Sequence, residues 1–371
     1  MRILKKIMII SITVIGLIAI GVWLFMQHPK FGKLPDETRI ESFKNSPNFK
    51  DGKFHNLHPT PMMTTDDSFV KQMYDFFFKK KSRLEPKDVL PSIKTDLTFG
   101  KDENSLVWFG HSSYFISIDG KTILVDPVLS GLASPVPFFG KAYKGTDVYT
   151  PSDIPEIDYL FLTHDHWDHL DYKTMLDLKP KIKQIFCGLG MGAHLEYWGY
   201  DPKIIIEMDW DESADVGDGI IIHSTTARHF SGRGLSRDKA LWLSFVLQTP
   251  TSKIFIGGDS GYDTHFKSIG EKFGPFDLAI LENGQYNQKW KFSHMFPAQV
   301  LQAAADLNAK QLMPVHSGKF TLAEHPWDEP LSEIARLNNS NDLRLITPII
   351  GEKVNLSDSL QTFTNWWEGL N

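Results

Sequence analysis

The sequence predicts an α/β protein in which two packed β-sheets carry helices on their outer faces, preceded by one transmembrane helix. Three observations lead to this fold class. An uncharged apolar segment comes first, short β-branched and aromatic runs follow from Leu106 onwards, and helical patterns separate the later runs. Because the strands first come as a group and then alternate with helices, two sheets fit this order better than one doubly wound sheet.

The composition is that of a globular enzyme. Of the 371 residues, 42% are hydrophobic and 23% are charged, which excludes a disordered or fibrous protein. The net charge is −6, and such a surface repels phosphate polyanions, so we expect no nucleic-acid partner. Cys187 is the only cysteine, which excludes an intrachain disulfide and a cysteine-cage zinc site. Its apolar neighbours predict a small core residue.

The first segment indicates a membrane anchor over residues 1–27. Residues 7–26 carry no charge, and twenty helical residues span about 30 Å, the thickness of the hydrocarbon layer. A cleaved signal peptide is the alternative, but the apolar run is longer than usual and lacks a small-x-small cleavage site. Basic residues are slightly more numerous before the segment, which favours a cytoplasmic N-terminus and an extracytoplasmic body.

The rest of the chain divides into a lead-in and a folded domain. Residues 28–100 are rich in Pro, Lys, Asn and Asp, and we expect a stalk and a partly helical lead-in with a helix over 67–80. Residues 101–371 form the predicted folded domain, with helices at 172–178, 194–197 and 297–307. In the last of these, Pro297 suits the first helical turn.

Potential metal ligands crowd at the end of one apolar strand. IDYLFLTH runs into THDHWDHLD, which places His164, His166, Asp168 and His169 within six positions. Neutral imidazoles and carboxylates are ligands for zinc, and also for manganese or iron. Alternate side chains on an extended chain point the same way, so His164 and His166 should converge on one point. Asp168 and His169 fall on the next turn and can serve a neighbouring point.

Three further candidates follow later strands. His229 comes after GIIIHSTTA, Asp259 ends KIFIGGD, and His316 ends QLMPVH. The two glycines before Asp259 are typical of a site that needs close backbone approach. His223 lies inside its strand, so we expect it to pack or to support a ligand, and His229 to be the better ligand.

Together these motifs resemble the metallo-β-lactamase fold family over roughly residues 100–355. The family signature is His-x-His-x-Asp-His, followed by His, Asp and His ligands in that order. Within the family the chain is most similar to the N-acylphosphatidylethanolamine-hydrolysing phospholipase D group, although its segment 287–293 is shorter. The supporting residues are WFGHSS at 108–113, DPVLSGLASP at 126–135, GGDSGY at 257–262, Gly284 with Tyr286, and His294, which lies 22 residues before His316.

The resemblance implies a four-layer αβ/βα sandwich with two Zn²⁺ ions, Mn²⁺ or Fe being possible replacements. The ligands would be His164, His166, His229 and Asp259 for one ion, and Asp168, His169, Asp259 and His316 for the other. A water that bridges the ions would have a lowered pKa and would act as the nucleophile. Asp126 should hold a ligand histidine in one tautomer. Asp259, His294 and His111 are the catalytic candidates, with a solvated loop as the alternative for His294.

The implied reaction is phosphodiester hydrolysis in a membrane phospholipid, which releases an N-acylethanolamine and leaves phosphatidic acid. Two alternatives stay open: a lactonase or other small-molecule hydrolase, and a non-catalytic metal-binding protein. The loop at 134–143, SPVPFFGKAY, is either a packed Ω-loop or an apolar lip that contacts lipid tails or the bilayer. The sequence gives no oligomeric state.

Overall fold

Two seven-stranded sheets pack face to face in the computed structural model, which describes residues 2–68, 70–71, 74, 78, 81–339 and 343–371. Side chains from both sheets fill the space between them, and Phe161 of one sheet stacks on Phe245 of the other at 4.7 Å. Helices cover each outer face over its own apolar cluster. This is the predicted four-layer sandwich.

The first sheet mixes antiparallel and parallel neighbours. Its central strands are buried on both faces, which explains why they appear as continuous apolar runs in the sequence. The order across the sheet is β16-β3-β4-β5-β6-β7-β8. The strands are β3 Ser105–Trp108, β4 Tyr114–Ile118, β5 Lys121–Val125, β6 Ile157–Leu162, β7 Ile182–Gly188, β8 Ile205–Met208 and β16 Lys353–Asn355.

The second sheet has the order β15-β14-β13-β12-β11-β10-β9. Its strands β12 to β15 are parallel, so their carboxyl ends lie at one edge. The strands are β9 Ser213–Asp215, β10 Ile221–Thr225, β11 Ser244–Gln248, β12 Lys253–Ile256, β13 Leu278–Glu282, β14 Gln311–Val315 and β15 Arg344–Leu345. A separate hairpin pairs β1 Phe49–Lys50 with β2 Lys53–Phe54.

The predicted helices at 172–178, 194–197 and 297–307 are present, with small differences at their ends. Helices at 37–43, 265–273 and 329–338 were not predicted. The second of these contains Gly270, which weakens a helical pattern in sequence, yet a Cβ there would lie 1.9 Å from Asp306 O. The helices are α1 Arg2–Met26, α2 Glu37–Phe43, α3 Tyr172–Leu178, α4 Gly192–Tyr197, α5 His265–Phe273, α6 Pro297–Asp306 and α7 Glu329–Asn338.

Helix α1 has 25 residues, and none of them is buried. It is long and apolar enough to cross a membrane by length and composition, which makes it a candidate membrane anchor. Its basic residues, Arg2, Lys5 and Lys6, all lie in the first turns. A signal sequence has the same features, so the choice between anchor and signal stays a prediction.

The lead-in segment packs against the two sheets. Phe43 and Phe54 are part of the core between the sheets, and Ser92 pairs with Ile350 through an isolated β-bridge. The helix predicted over 67–80 falls mostly on residues outside the described ranges. The boundaries at 27 and 100 remain predictions, but residues 28–68 lie on the domain and do not extend away from it as a stalk would.

Candidate metal centre

Every predicted ligand follows the carboxyl end of a strand, at the same edge of the sandwich. The loop after β6 carries His164, His166, Asp168 and His169, and all four side chains are at least largely buried. His229, Asp259 and His316 follow β10, β12 and β14, and their side chains are almost fully buried. Because both sheets end at this edge, residues up to 152 positions apart in the chain share one site.

The first cluster joins three imidazoles and one carboxylate. His166 Nδ1 lies 2.9 Å from His164 Nε2 and 3.2 Å from His229 Nε2. The Nδ1 of His229 is 3.0 Å from the Ser293 carbonyl oxygen, which only accepts, so Nδ1 carries the proton and Nε2 presents its lone pair. Three imidazole nitrogens and the Asp259 carboxylate thus converge on one point, and the nitrogen of His229 presents a lone pair there. The donor set therefore fits a divalent metal.

The second cluster joins His111, Asp168, His169 and His316. His169 Nδ1 donates to Asp126 Oδ2 at 2.8 Å, which is the support predicted for a ligand histidine and turns the Nε2 lone pair towards the cluster. Among the described residues, His169 Nε2 is a buried nitrogen without a hydrogen bond. A buried acceptor without a partner is costly, and a metal ion would satisfy it.

Asp259 lies between the two clusters and faces both. Its Oδ2 is 3.7 Å from His164 Nε2 and 3.7 Å from His229 Nε2. Its Oδ1 is 3.2 Å from His169 Nε2 and 3.2 Å from His316 Nδ1. Burial raises the pKa of this carboxyl, but the surrounding histidines outweigh burial and lower the pKa well below its usual range. The group is therefore a carboxylate, with one oxygen towards each cluster.

Close packing of backbone brings Asp259 to this position. A Cβ on Gly258 would lie 2.7 Å from Thr163 Cβ, which the strand end cannot accommodate. Nearby, Asp126, His111 and His316 all have positive φ values of 40°, 54° and 66°. Such backbone is strained for residues other than glycine, and it is typical of functional sites.

His111 lies within the site and contacts a predicted ligand. Its Nε2 is 2.9 Å from Asp168 Oδ2, and its ring lies 4.2 Å from the ring of His316. Burial lowers the pKa of His111 despite the neighbouring carboxylate. Within the described structure, His111 is therefore a member of the second cluster that is placed to orient Asp168.

His294 also lies at the site, paired with an acid that the sequence analysis missed. Its ring is 5.1 Å from that of His229 and 5.2 Å from that of His316, and its side chain is 12% exposed, which does not fit a solvated loop. His294 Nδ1 is 3.6 Å from Glu282 Oε2. Burial raises the pKa of Glu282 to about 7, and the pair with Glu282 outweighs burial to raise the pKa of His294.

A signal for Glu282 was present in the sequence. It ends the apolar strand LAILE directly, as Asp259 and His316 follow theirs. The carboxylate also accepts from the Met295 backbone N–H at 2.6 Å, so it anchors the loop that carries His294.

A cavity of about 290 Å³ opens over both clusters. Its apolar walls include two methionines of the lead-in segment, which no sequence pattern linked to the site. Phe230 stacks on His229 with the rings 4.6 Å apart, so the apolar wall reaches the metal ligands themselves. The apolar lining residues are Met62, Met63, Phe230, Trp290 and Leu322.

Other residues singled out in the sequence lie outside the site. His223 packs on Phe273 with the rings 4.8 Å apart, as expected for a packed strand residue. Cys187 is buried in the core, as predicted. In the loop at 134–143, Tyr143 is buried and contacts Thr321, whereas Phe138 and Phe139 are 81% and 43% exposed. The loop is therefore packed at one end and apolar at its exposed tip.

The comparisons with known proteins agree with this geometry. A family model described as a beta-lactamase superfamily domain matches residues 121–317. An uncharacterized protein of Mycobacterium tuberculosis is 35% identical over 329 residues, which is 87% of this chain and 88% of the relative. The N-acyl-phosphatidylethanolamine-hydrolyzing phospholipase D 1 of Caenorhabditis elegans is 30% identical over 270 residues, which is 68% of this chain and 75% of the relative.

Among solved structures, the metallo hydrolase Igni18 of Ignicoccus hospitalis has a TM-score of 0.53 and 22% identity, over 68% of this chain and 97% of its own. That likeness supports the fold alone. Relatives named as metal-dependent hydrolases and the buried ligand clusters together point to divalent metal ions. Since the family model covers more than half of the chain and similar relatives match over most of their length, this chain belongs to the beta-lactamase superfamily and has the metallo-β-lactamase fold.

Proposed function

We propose that this chain is a membrane-anchored dinuclear metal hydrolase that cleaves a phosphodiester bond in N-acylphosphatidylethanolamine-type phospholipids. The observation that carries the proposal is the position of Asp259, whose two carboxylate oxygens face two separate ligand clusters. The catalytic domain would lie on the extracytoplasmic side, with α1 as the anchor.

The two clusters would each hold one divalent ion, Zn²⁺ being our first expectation. When bound, such a pair supplies a water of lowered pKa and Lewis-acid stabilisation of charge on phosphoryl oxygens. The ligand sets are His164, His166, His229 and Asp259 for one ion, and Asp168, His169, Asp259 and His316 for the other.

The chain's own residues would complete the reaction. Water adds its oxygen to phosphorus, the bond from phosphorus to the ethanolamine oxygen breaks, and that oxygen takes a proton. His294 lines the cavity beside both clusters, and Glu282, whose Oε2 is 3.6 Å from His294 Nδ1, raises the pKa of His294. An imidazolium in that place can donate a proton to the leaving oxygen or bind a phosphoryl oxygen.

Three observations support a lipid substrate over a small polar one. The cavity has apolar walls next to the ligands, and α1 is a candidate anchor. The chain also matches a relative named for N-acylphosphatidylethanolamine hydrolysis at 30% identity. An acyl chain would lie against the methionine and aromatic walls, with the phosphodiester group over Asp259.

A substrate comparison with metal analysis tests the proposal. We expect purified full-length protein to contain two metal ions per chain by mass spectrometry. We also expect it to release an N-acylethanolamine and phosphatidic acid from mixed micelles of N-acylphosphatidylethanolamine. Hydrolysis of acyl lactones alone would replace the proposal with the lactonase alternative. Two bound ions without turnover of either substrate would indicate a non-catalytic metal-binding protein.

A further inference from the structure

Exposed apolar side chains surround the end of α1. Phe138 is 81% exposed and Leu235 is 86% exposed, at the tips of two different loops, and Phe139 is 43% exposed beside the first. Large apolar side chains at such exposure cost free energy in water. We call Phe138, Phe139 and Leu235 the apolar rim.

Both loops of the apolar rim contact the end of α1 or the residues just after it. Lys30 Nζ donates to the Pro135 carbonyl oxygen at 2.7 Å, three residues before Phe138. A Cβ on Gly234, the neighbour of Leu235, would lie 3.3 Å from Met26 Cε. The rim therefore lies where α1 would enter the membrane.

No free linker separates α1 from the domain. The Trp198 Nε1 atom donates to the Pro29 carbonyl oxygen at 2.8 Å, and the buried Arg233 donates through Nη2 to the Lys30 carbonyl oxygen at 3.0 Å. Phe31 packs edge-on against Trp167, inside the His-x-His-x-Asp-His loop, at 5.2 Å. Residues 28–33, the docked segment, thus hold the domain within a few residues of the helix end.

The two rim loops also form or support the walls of the cavity. Phe230 lines the cavity five residues before Leu235 in the same loop. In the loop that carries Phe138, Ala142 packs against the same small apolar cluster as Leu322, and Leu322 lines the cavity. A surface that covers the rim would therefore lie beside the cavity mouth.

From this arrangement we infer that the apolar rim inserts into the bilayer that α1 spans, so that the cavity mouth lies at the lipid surface. The occupant is a lipid bilayer because the rim lies next to the end of a helix that carries no charge over residues 7–26 and has no buried residue. The inference rests on the proposed anchor but not on the proposed reaction. Moving these exposed apolar side chains out of water and into the lipid interface lowers their free energy, which favours this orientation of the domain.

Single-cysteine labelling of the full-length chain tests this inference. Cys187 is buried and its thiol pKa is raised well above the usual value by burial, so it should not react. Phe138→Cys, Leu235→Cys, Ile15→Cys in α1 and Leu360→Cys are each labelled with the fluorophore NBD. Leu360 is the matched control, since it is 85% exposed and lies in a turn beside β16. The proteins are reconstituted into phosphatidylcholine vesicles with and without doxyl-labelled lipid.

We expect emission from NBD at 138 and 235 to shift to the blue and to be quenched several-fold more by shallow doxyl lipid than emission at 360. Position 15 should be quenched most by deep doxyl lipid. If position 15 is quenched and positions 138 and 235 behave like 360, the rim inference is overturned while the anchor stands. If no position is quenched, the anchor and the rim both fail. A blue shift without lipid quenching would assign the rim to a second protein copy and would also overturn the inference.

Discussion

The two ligand clusters share Asp259 but are built from different chemistry. The first is formed by three histidines whose nitrogens face one another, with His229 oriented by a backbone carbonyl. The second contains Asp168, and that carboxylate is already bonded to His111. The first cluster is therefore nearly neutral and nitrogen-rich, whereas the second depends on a carboxylate with a competing partner. The difference predicts unequal affinity of the two positions for metal, and substitutions can test it.

The largest effect should come from Asp259→Asn, because one carboxylate serves both clusters. We expect both metal positions to lose occupancy, and turnover to fall by more than the roughly 10²–10⁴-fold typical of one acid–base group. Metal analysis after gel filtration and a turnover assay measure the two effects. Full activity with a single bound ion would show that the site is not dinuclear.

His166→Ala is the matched change within the nitrogen-rich cluster. The first position should lose its ion, and turnover should be lost with it. The second position should retain its ion. His223→Ala is the control, since that histidine packs on Phe273 and away from the site. Loss of both ions in His166→Ala would mean that the clusters do not bind independently.

His294→Ala should separate chemistry from metal binding. We expect unchanged metal content and a turnover lower by about 10²–10⁴-fold on phosphodiester substrates. Glu282→Gln should cause a smaller loss in the same direction, because the ring remains but its buried carboxylate partner is gone. Nearly full turnover in His294→Ala would remove this residue from the mechanism and leave the metal site unaffected.

His111→Gln should act on the second cluster alone. Partners that orient a ligand typically contribute about 10–100-fold in metal affinity, so we expect a loss of that size at one position. Titration of metal-free protein, followed by calorimetry, resolves the two positions. An equal loss of metal affinity at both positions would show that His111 does not act on the second cluster alone.

The smallest effect on chemistry should come from removing α1. Deletion of residues 1–27 should give protein that turns over a short-chain micellar substrate, because the docked segment is kept. Deletion of residues 1–33 removes the carbonyl that Arg233 binds and the aromatic contact with Trp167, so its thermal midpoint should be lower. Equal midpoints would show that the docked segment contributes no stability.

The fold class and the grouping of ligands were open to prediction because they depend on local patterns. An apolar run indicates where its strand ends, and His164, Asp259 and His316 each lie within three residues of such an end. The fold and the family are confirmed by the structure and the comparisons. The ligand roles stay predictions until metal is measured.

What the sequence did not show depends on contacts between distant segments. Arg233 reaches Lys30 across 203 positions, and Met62 lines a cavity built mainly by residues beyond 160. Nothing in the local pattern around Met62 marks it as part of a site. The pairing of Glu282 with His294 similarly needs the loop after β13 to fold back, which periodicity does not encode.

The docked segment has a consequence for kinetics. With only residues 27–30 between the end of α1 and the Arg233 contact, a chain anchored by α1 would have almost no reach into the aqueous phase. Its encounters with substrate would then be two-dimensional. Rate would follow the mole fraction of substrate lipid within one leaflet of the host membrane, and dilution of that lipid with inert lipid would slow turnover at constant bulk concentration. Lipids in other vesicles would not reach the site until they exchanged into the host membrane or the vesicles fused with it.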